Sequence, residues 1–356
     1  MRCMLMRGGT SKGAYFLAED LPAGPAERDE LLLRIMGSPD PRQIDGIGGA
    51  HPLTSKVAVV STSADPAADV DYLFLQLGVE QATVSDRQNC GNLLAGIGPF
   101  AVERGLVEPA TDRTTVRIRM VNSNSVAVAT FATPGGIVDY AGDTAISGVP
   151  ATAAPITLDF TDTEGSACGA LLPSGALRDR IDGVEVTCID NGMPVVILAA
   201  SDLGASGYEP VGQLAADGRL RERVQSIRLQ AGKLMGLGDV ADTSVPKTTL
   251  VAPARAGGIL CTRTFIPLRP HDSIGVLGAI TVATAAVLPG TTAYDVARPP
   301  ATGMSPGMPL RIEHPTGHLD VTVELDDDPA PRVRRCGVIR TARKLFDGIA
   351  FPRPQE

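Results

Sequence analysis

Two stretches of the chain would be apolar on every side if they formed helices. Residues 89–106, NCGNLLAGIGPFAVERGL, and residues 272–289, DSIGVLGAITVATAAVLP, each begin with small polar residues and glycine and continue into small apolar residues. A helix that is hydrophobic all round is a buried helix. The apolar run 276–288 is shorter than the roughly 20 residues that a bilayer requires. The pattern therefore predicts two buried central helices and no membrane insertion.

Short β-branched stretches separated by Gly, Pro and Asp turns surround these two segments, a pattern typical of strands. The predicted strands are 57–61, 115–120, 125–131, 155–160, 185–189, 195–199, 247–251, 260–266 and 319–324. Amphipathic surface helices are predicted at 27–36, 71–77 and 220–234, where apolar residues recur at helical spacing. One central helix with its own set of strands in each half favours an α+β fold of two similar domains, each a strongly bent sheet around its helix.

The turn-rich stretch PSGALRDRIDG at 173–183 is the best junction between the two halves. We therefore predict an N-terminal domain at 1–178 with its central helix at about 90–105. The C-terminal domain is predicted at 179–356 with its helix at about 273–288, and the last strand is predicted to return to the first domain. A length of 356 residues fits two domains of ordinary size.

Composition excludes several classes of protein. The net charge of −8 and the absence of tryptophan, with no basic run interleaved with aromatic residues, argue against binding of nucleic acid. The first residues, MRCMLMRGG, lack a signal-peptide pattern, so we expect a cytoplasmic protein. Six cysteines are scattered without a C-x-x-C pair, which predicts neither a disulfide framework nor a zinc site.

The segment LMRGGTSKGAYF at residues 5–16 suggests a phosphate-binding loop but lacks its residue order. A P-loop needs lysine before the hydroxyl residue and a helix after it, whereas here Lys12 follows Thr10 and Ser11 and a strand pattern comes next. The triplet Thr-Ser-Lys recurs at 54–56, again after a glycine pair. Two cationic, hydroxyl-rich loops favour one anionic ligand, and chance repetition in a glycine-rich chain is the alternative.

The starts of the two central helices are a second candidate anion site, because the first turn of a helix has unpaired N–H groups and partial positive charge. The residues placed there are Asn89, Gly91 and Asn92 at one helix and Ser273, Ile274 and Gly275 at the other. Ordinary capping by Asn89 and by Asp272 or Ser273 is the alternative interpretation.

Cys90 and Lys56 are the candidate reactive groups. A thiol at a helix start is favoured as a thiolate by the helix field, and the other five cysteines fall in or beside predicted strands. Lys56 immediately precedes the apolar strand VAVV. Such a lysine either reaches out to the surface or is held in a cleft, where it can serve as a base. The histidines give no helical metal-binding pair, because Pro315 and Gly317 lie between His314 and His318.

Several long segments resemble the PrpF-type isomerases of the diaminopimelate epimerase-like superfamily. They are MRGGTSKGAYF, GSPDPRQIDGIGGAHPLTSKVAVV, DVDYLF, NCGNLLAGIGPFAVERGLV, NGMPVVIL and PHDSIGVLGAITVATA. The resemblance implies two pseudo-symmetric domains, each a barrel-like sheet around a central helix, with the active site between them. The epimerases use one cysteine from each domain, but this chain keeps only Cys90, and Asp272 to Gly275 occupy the matching stretch. PrpF-like members pair a lysine with the first cysteine, which implies Lys56 and Cys90.

The loop GGAHPLTSKVAVV is most similar to members that act on 4-oxalomesaconate, a tricarboxylate of gallate catabolism. The resemblance implies a cofactor-independent keto-enol tautomerase, or a 1,3-allylic proton shift, with no metal. The alternatives are isomerisation of 2-methylaconitate or a related acid, and a non-catalytic protein that binds a tricarboxylate. A homodimer is also predicted. The expected substrate-binding residues are Thr10, Ser11, Lys12, Ser55, Asn89, Gly91, Asn92, Met193, Ser273, Ile274 and Gly275.

Overall fold

The computed structural model describes residues 1–86, 89–161, 163–297, 308–326 and 332–354. The chain divides into two compact units, Met1–Thr161 with Ile339–Glu356, and Asp162–Val338. The boundary predicted after residue 178 falls inside the second unit, because the turn-rich stretch packs there. Leu171 is buried, and the Arg178 guanidinium donates to the Gly290 carbonyl at 2.7 Å. Turn-forming residues mark a loop at this point rather than the division between the units.

The first unit is built around a closed ring of eight strands. Its elements are β1 (Arg2–Gly8), β2 (Ser11–Leu17), α1 (Pro25–Met36), β3 (Lys56–Thr62), β4 (Val70–Leu77), β5 (Val84–Ser85), α2 (Gly91–Glu103), β6 (Arg113–Met120), β7 (Ser125–Ala132), β8 (Pro155–Phe160) and the part from Ile339 onward of β17 (Val333–Ile349). Antiparallel pairs join β1 to β2, β3 to β4, β6 to β7 and β7 to β8, and parallel pairs join β2 to β3 and β4 to β6. The strand β17 pairs with both β8 and β1 and closes the ring.

The second unit repeats the same order of strand directions. Its elements are β9 (Asp179–Ile181), β10 (Val184–Asp190), β11 (Pro194–Ala199), α3 (Val211–Ala216), α4 (Gly218–Leu234), β12 (Lys247–Pro253), β13 (Leu260–Ile266), β14 (Arg269–Pro270), α5 (Val276–Val287), α6 (Thr292–Val296), β15 (Leu310–His314), β16 (Gly317–Leu325) and the first residues of β17. Antiparallel pairs join β10 to β11, β12 to β13, β15 to β16 and β16 to β17, and parallel pairs join β11 to β12 and β13 to β15. This order equates β10 with β1, β12 with β3 and α5 with α2.

The central helices α2 and α5 are buried along most of their length, as their all-round apolar sequences predict. Small residues let α2 approach the surrounding strands closely. A Cβ atom added to Gly96 would lie 2.5 Å from the Tyr15 hydroxyl, and one added to Gly98 would lie 2.5 Å from the Phe131 ring. Helix α5 begins at Val276, so the predicted residues 273–275 precede it rather than forming its first turn.

Two amphipathic helices cover outer faces of the strands, as predicted. Leu32 and Ile35 of α1 pack in one apolar cluster with Val57, Val59 and Leu75. In the second unit, α4 buries one face in a separate cluster with β10, β11 and β12. Because neighbouring residues of a strand point to opposite faces, the residues that alternate with Val57 and Leu75 point toward α2.

The helix predicted at 71–77 is wrong, because the segment is the strand β4. Its apolar residues include two aromatic ones, Tyr72 and Phe74, which alternate along the segment. Both side chains are fully buried on the α2 side of the strand. Alternation over so few residues is the signature of a strand rather than of a helix.

No helix within the described part of the chain combines the length and the apolar character that crossing a membrane requires.

Candidate active site

The loop that contains Gly8 and Gly9 lies against the first turn of α2. A Cβ atom on Gly8 would be 2.5 Å from the Asn92 carbonyl oxygen, and one on Gly9 would overlap Asn92 Oδ1. The Asn92 amide nitrogen donates to Thr10 Oγ1 at 3.0 Å and to Ser11 Oγ at 3.5 Å. The glycine pair is thus explained by close packing, and the structure brings Thr10, Ser11 and Asn92 together.

Cys90 is the N-cap residue of α2, and within the described ranges no side chain caps this helix. Asn89, the predicted cap, instead donates from its amide nitrogen to Ser123 Oγ at 2.6 Å. The first-turn N–H groups of Gly91 and Asn92 therefore keep their partial positive charge for another acceptor. Cys90 itself is 8% exposed.

Two buried tyrosines fix the start of α2. The Tyr72 hydroxyl donates to the Cys90 carbonyl oxygen at 3.4 Å, and the Tyr15 hydroxyl donates to the Leu93 carbonyl oxygen at 2.7 Å. Burial, with the neighbouring Cys90 adding to it, raises the pKa of both phenols well above the ordinary value. Both hydroxyls therefore stay protonated and act as donors to the helix backbone.

Lys56 is the first residue of β3 and is 7% exposed. Its Nζ donates to Gln76 Oε1 at 2.7 Å and lies 4.9 Å from the centre of the Phe74 ring. Of the two interpretations of this lysine, the structure supports a held side chain over one that reaches solvent. Its strand position also places it on the α2 side of the sheet, the side on which Tyr72 contacts Cys90.

The two Thr-Ser-Lys triplets lie at the starts of neighbouring parallel strands, because Gly13 is in register with Lys56. Gly49 belongs to the glycine pair that precedes the second triplet. Lys12 Nζ lies 3.3 Å from the position that a Cβ atom on Gly49 would occupy. Ser55 is fully buried and donates its hydroxyl to Gln43 Oε1 at 2.7 Å. The loops are adjacent, and the Ser55 hydroxyl donates its proton within the protein.

The predicted second-unit residues lie around the first half of α5. Gly275 is the N-cap, without a side-chain cap within the described part of the molecule. The Ser273 N–H donates to His271 Nδ1 at 2.9 Å, and Ile274 is buried. Met193 presents its carbonyl oxygen to Thr281 of α5 at 3.0 Å. Ser273 and Asp272 therefore do not cap the helix, and Gly275 is the counterpart of Cys90.

Lys247 is a candidate that the sequence patterns missed. It opens β12 as Lys56 opens β3, and its Nζ lies 3.7 Å from the position of a Cβ atom on Gly275. Burial lowers the pKa of Lys247. Burial also lowers the pKa of His271, with the Lys247 charge adding to the effect. Aligning the two halves of the sequence by the order of their strands would have identified Lys247, because it takes the position of Lys56.

His314 and His318 lie on the antiparallel strands β15 and β16, where Glu313 is opposite His318 and His314 opposite Gly317. They therefore do not form a helical metal-binding pair. Among the residues that the structure describes, no group of three or more His, Cys, Asp or Glu side chains could hold a metal ion.

Comparison with known proteins identifies the family. The family model described as "PrpF protein" matches residues 1–352. A Novosphingobium protein named "(4E)-oxalomesaconate Delta-isomerase" is 59% identical, over 98% of this chain and 96% of its own. A Pseudomonas putida protein named "4-oxalomesaconate tautomerase" is 54% identical, over 98% of this chain and 94% of its own. The crystal structure of methylitaconate-delta-isomerase superposes with a TM-score of 0.87 at 33% identity, covering 98% of this chain and 94% of that one. The resemblance noted in the sequence is confirmed, and the chain belongs to the PrpF protein family.

Proposed function

We propose that this protein is an isomerase that moves a proton within 4-oxalomesaconate. The observation that carries the proposal is that two relatives named for this acid are 59% and 54% identical and match nearly the whole chain. The reaction takes one of two forms, a keto-enol tautomerisation or a 1,3-allylic shift of the double bond. Both forms remove one proton, pass through a dienolate and return one proton, so both need the same kinds of residue.

Lys56 and Cys90 are the proposed acid and base. A neutral amine can take the proton from carbon or from the enol oxygen and become an ammonium group, and a thiol can supply the proton that is returned. A buried lysine beside an amide and a buried thiol at a helix start fit this pair of roles. The dienolate charge spreads onto carboxylate and keto oxygens, so positive groups around those oxygens lower the barrier.

Carboxylate binding is assigned to groups that keep donors available. In the first unit these are Thr10, Ser11, Lys12 and the N–H groups of Gly91 and Asn92. In the second unit these are the N–H groups of Ile274 and Gly275 and the hydroxyl of Ser273, whose own N–H donates to His271. Lys247 is added because its charged end lies beside the N-cap of α5. That one substrate engages both units remains a prediction from the sequence.

The test is steady-state turnover of 4-oxalomesaconate, followed by ultraviolet absorbance, with Lys56→Met and Cys90→Ser. We expect each variant to lose at least about 10²-fold in kcat, the usual contribution of a positioned acid or base. Cys3→Ala is the matched control. Burial raises the pKa of the Cys3 thiol to about 12, so it is inert, and this variant is expected to keep its kcat. Full activity in both site variants would show the assignment to be wrong.

A substrate panel in deuterium oxide separates the alternatives. NMR detection of which carbon acquires deuterium distinguishes the two reactions. Keto-enol tautomerisation labels only the carbon next to the keto group, whereas the 1,3-allylic shift delivers deuterium to the far carbon of the allylic system. Faster turnover of 2-methylaconitate than of 4-oxalomesaconate would overturn the substrate assignment. Binding of tricarboxylates without turnover would overturn the enzymatic proposal itself.

Three further parts of the proposal are a role in gallate breakdown, activity without an added cofactor and a homodimeric state. Turnover by protein dialysed against chelator tests the second part. Light scattering of the purified protein tests the third, where a mass near that of one 36.9 kDa chain would contradict it.

A further inference from the structure

Gln76 is the direct partner of the Lys56 side chain. The two residues lie opposite each other in the antiparallel register of β3 and β4, and Nζ is 2.7 Å from Oε1. This contact depends on tertiary structure, because the two residues are 20 positions apart in the chain. It holds the end of the lysine over the Phe74 ring, where an ammonium group also gains a cation–π attraction.

The orientation of the Gln76 amide is fixed by its other end. Nε2 donates to the carbonyl oxygens of Pro52 at 3.1 Å, Ser55 at 3.1 Å and Leu77 at 3.3 Å. Carbonyl oxygens only accept hydrogen bonds, so a flipped amide would place its oxygen against three other acceptors. Oε1 is therefore held toward Lys56, and the glutamine acts as a fixed acceptor rather than a mobile one.

An amide is a suitable partner for a lysine that must exchange a proton. A carboxylate at this position would favour the ammonium form strongly, whereas an amide oxygen accepts from both the ammonium group and the neutral amine. In the second unit, continuing the register of β12 and β13 places Ile266 opposite Lys247. Lys247, the equivalent lysine of the second unit, therefore faces an apolar residue. A hydrogen-bond acceptor opposite the lysine is found at this position in the first unit, which also carries Cys90.

We propose that Gln76 is a positioning residue, which holds the Lys56 amine in the geometry for proton transfer. The inference rests on the proposed role of Lys56 in the isomerisation. Proton transfer depends steeply on the placement of the reacting group, and a shift of about 1 Å can cost about 10²-fold in rate. Titratable groups also lie on the elements next to β3. They are Lys12 and Tyr15 on β2, Glu19 and Asp20 just after β2, His51 before the turn at Pro52–Thr54, Asp71 and Tyr72 on β4, Cys90 at the start of α2 and Glu103 at its end.

A double-mutant cycle tests this role. Gln76→Met is expected to lower kcat by about 10²-fold with little change in KM, and to cause no further loss in a Lys56→Met background. Gln43→Met is the matched control, because Gln43 is a buried glutamine that binds the same loop at Ser55 without touching Lys56. Its effect on kcat is expected to be equal in both backgrounds. An equal loss from Gln76→Met in both backgrounds would overturn the proposal, because it would indicate a structural role only.

Gln76→Glu gives a readout that altered folding does not produce. The carboxylate favours the ammonium form of Lys56, so the limb of the pH–rate profile that reports this lysine is expected to move up by one pH unit or more. The direction is the same whether the lysine acts as base or acid. Activity reduced by a constant factor at every pH would contradict the proposal.

A chemical probe separates failure of this inference from failure of the proposed function. Acetic anhydride is applied to the intact protein, and acetylation of Lys56 is measured by peptide mass spectrometry relative to Lys12. Gln76→Met is expected to raise the Lys56 ratio several-fold because the amine loses its tether, and this result needs no turnover. An unchanged ratio would overturn the tether even if the enzyme isomerises 4-oxalomesaconate.

Discussion

Replacing Gly9 by alanine tests whether the loop between β1 and β2 holds the first turn of α2 in place. Gly9 has φ of 51°, a left-handed conformation that costs a residue with a Cβ atom about 1 kcal/mol. The added Cβ would also overlap Asn92 Oδ1 and lie 3.2 Å from Asn92 Cα. The side chain is the part that can move, and its movement breaks the 3.0 Å hydrogen bond to Thr10.

Gly105→Ala is the matched control for backbone strain. Gly105 has φ of 71°, and its Cβ position has no atom within 4 Å. This variant is therefore expected to lose only about 1 kcal/mol of the free energy of unfolding. Gly9→Ala also loses one partly exposed hydrogen bond, worth about 1 kcal/mol, so its expected total is about 2 kcal/mol. The difference between the two variants isolates the contact with Asn92.

The assays are urea unfolding followed by circular dichroism and steady-state kinetics with 4-oxalomesaconate. Because Thr10 and Asn92 are proposed to bind carboxylate, Gly9→Ala is expected to raise KM about tenfold, the equivalent of 1.4 kcal/mol. Gly105→Ala is expected to leave KM unchanged. Equal stability losses and equal KM values in the two variants would refute the reasoning, because the Asn92 contact would then contribute to neither folding nor binding.

Two further predictions concern the second unit. Lys247→Met is expected to raise KM about tenfold or more with a smaller effect on kcat, and an unchanged KM in steady-state assays would remove Lys247 from carboxylate binding. Burial lowers the pKa of His271 below its usual 6.5, so the unfolded chain binds the proton more readily and the free energy of unfolding falls as the pH drops below that value. His271→Asn is expected to show a shallower fall between pH 7 and 5 in urea titrations, and a slope equal to that of the unmodified protein would contradict this assignment.

Much of the fold follows from local sequence patterns. The β-branched runs at Pro155–Phe160 and Leu260–Ile266 are strands with the predicted bounds, because such residues pack well on a half-buried pleated surface. The all-round apolar composition identifies both central helices. The error at 71–77 arises because seven residues with several large side chains fit one helical face as well as one strand face, and only the neighbouring strands decide between them.

The candidate site is less accessible to sequence analysis, because its contacts join distant residues. Asn92 meets Thr10 across 82 positions, and Lys56 meets Gln76 only through the register of two strands. Local patterns identified Thr10, Asn92 and Lys56 as polar residues at element starts. The local patterns did not indicate which residue each of these three contacts. No local pattern singled out Gln76.

The two halves of the chain share one strand order but differ at the positions that matter for chemistry. Lys56, Gln76 and Cys90 in the first unit correspond to Lys247, Ile266 and Gly275 in the second. Proton transfer needs an acid and a base with controlled placement, whereas carboxylate binding needs only positive charge and available donors. The second unit keeps the lysine and the uncapped helix but has neither the thiol nor the amide. The first unit therefore holds the groups proposed for proton transfer, whereas at these positions the second unit keeps only groups suited to carboxylate binding, the role that is also proposed for Thr10, Ser11 and Lys12 of the first unit.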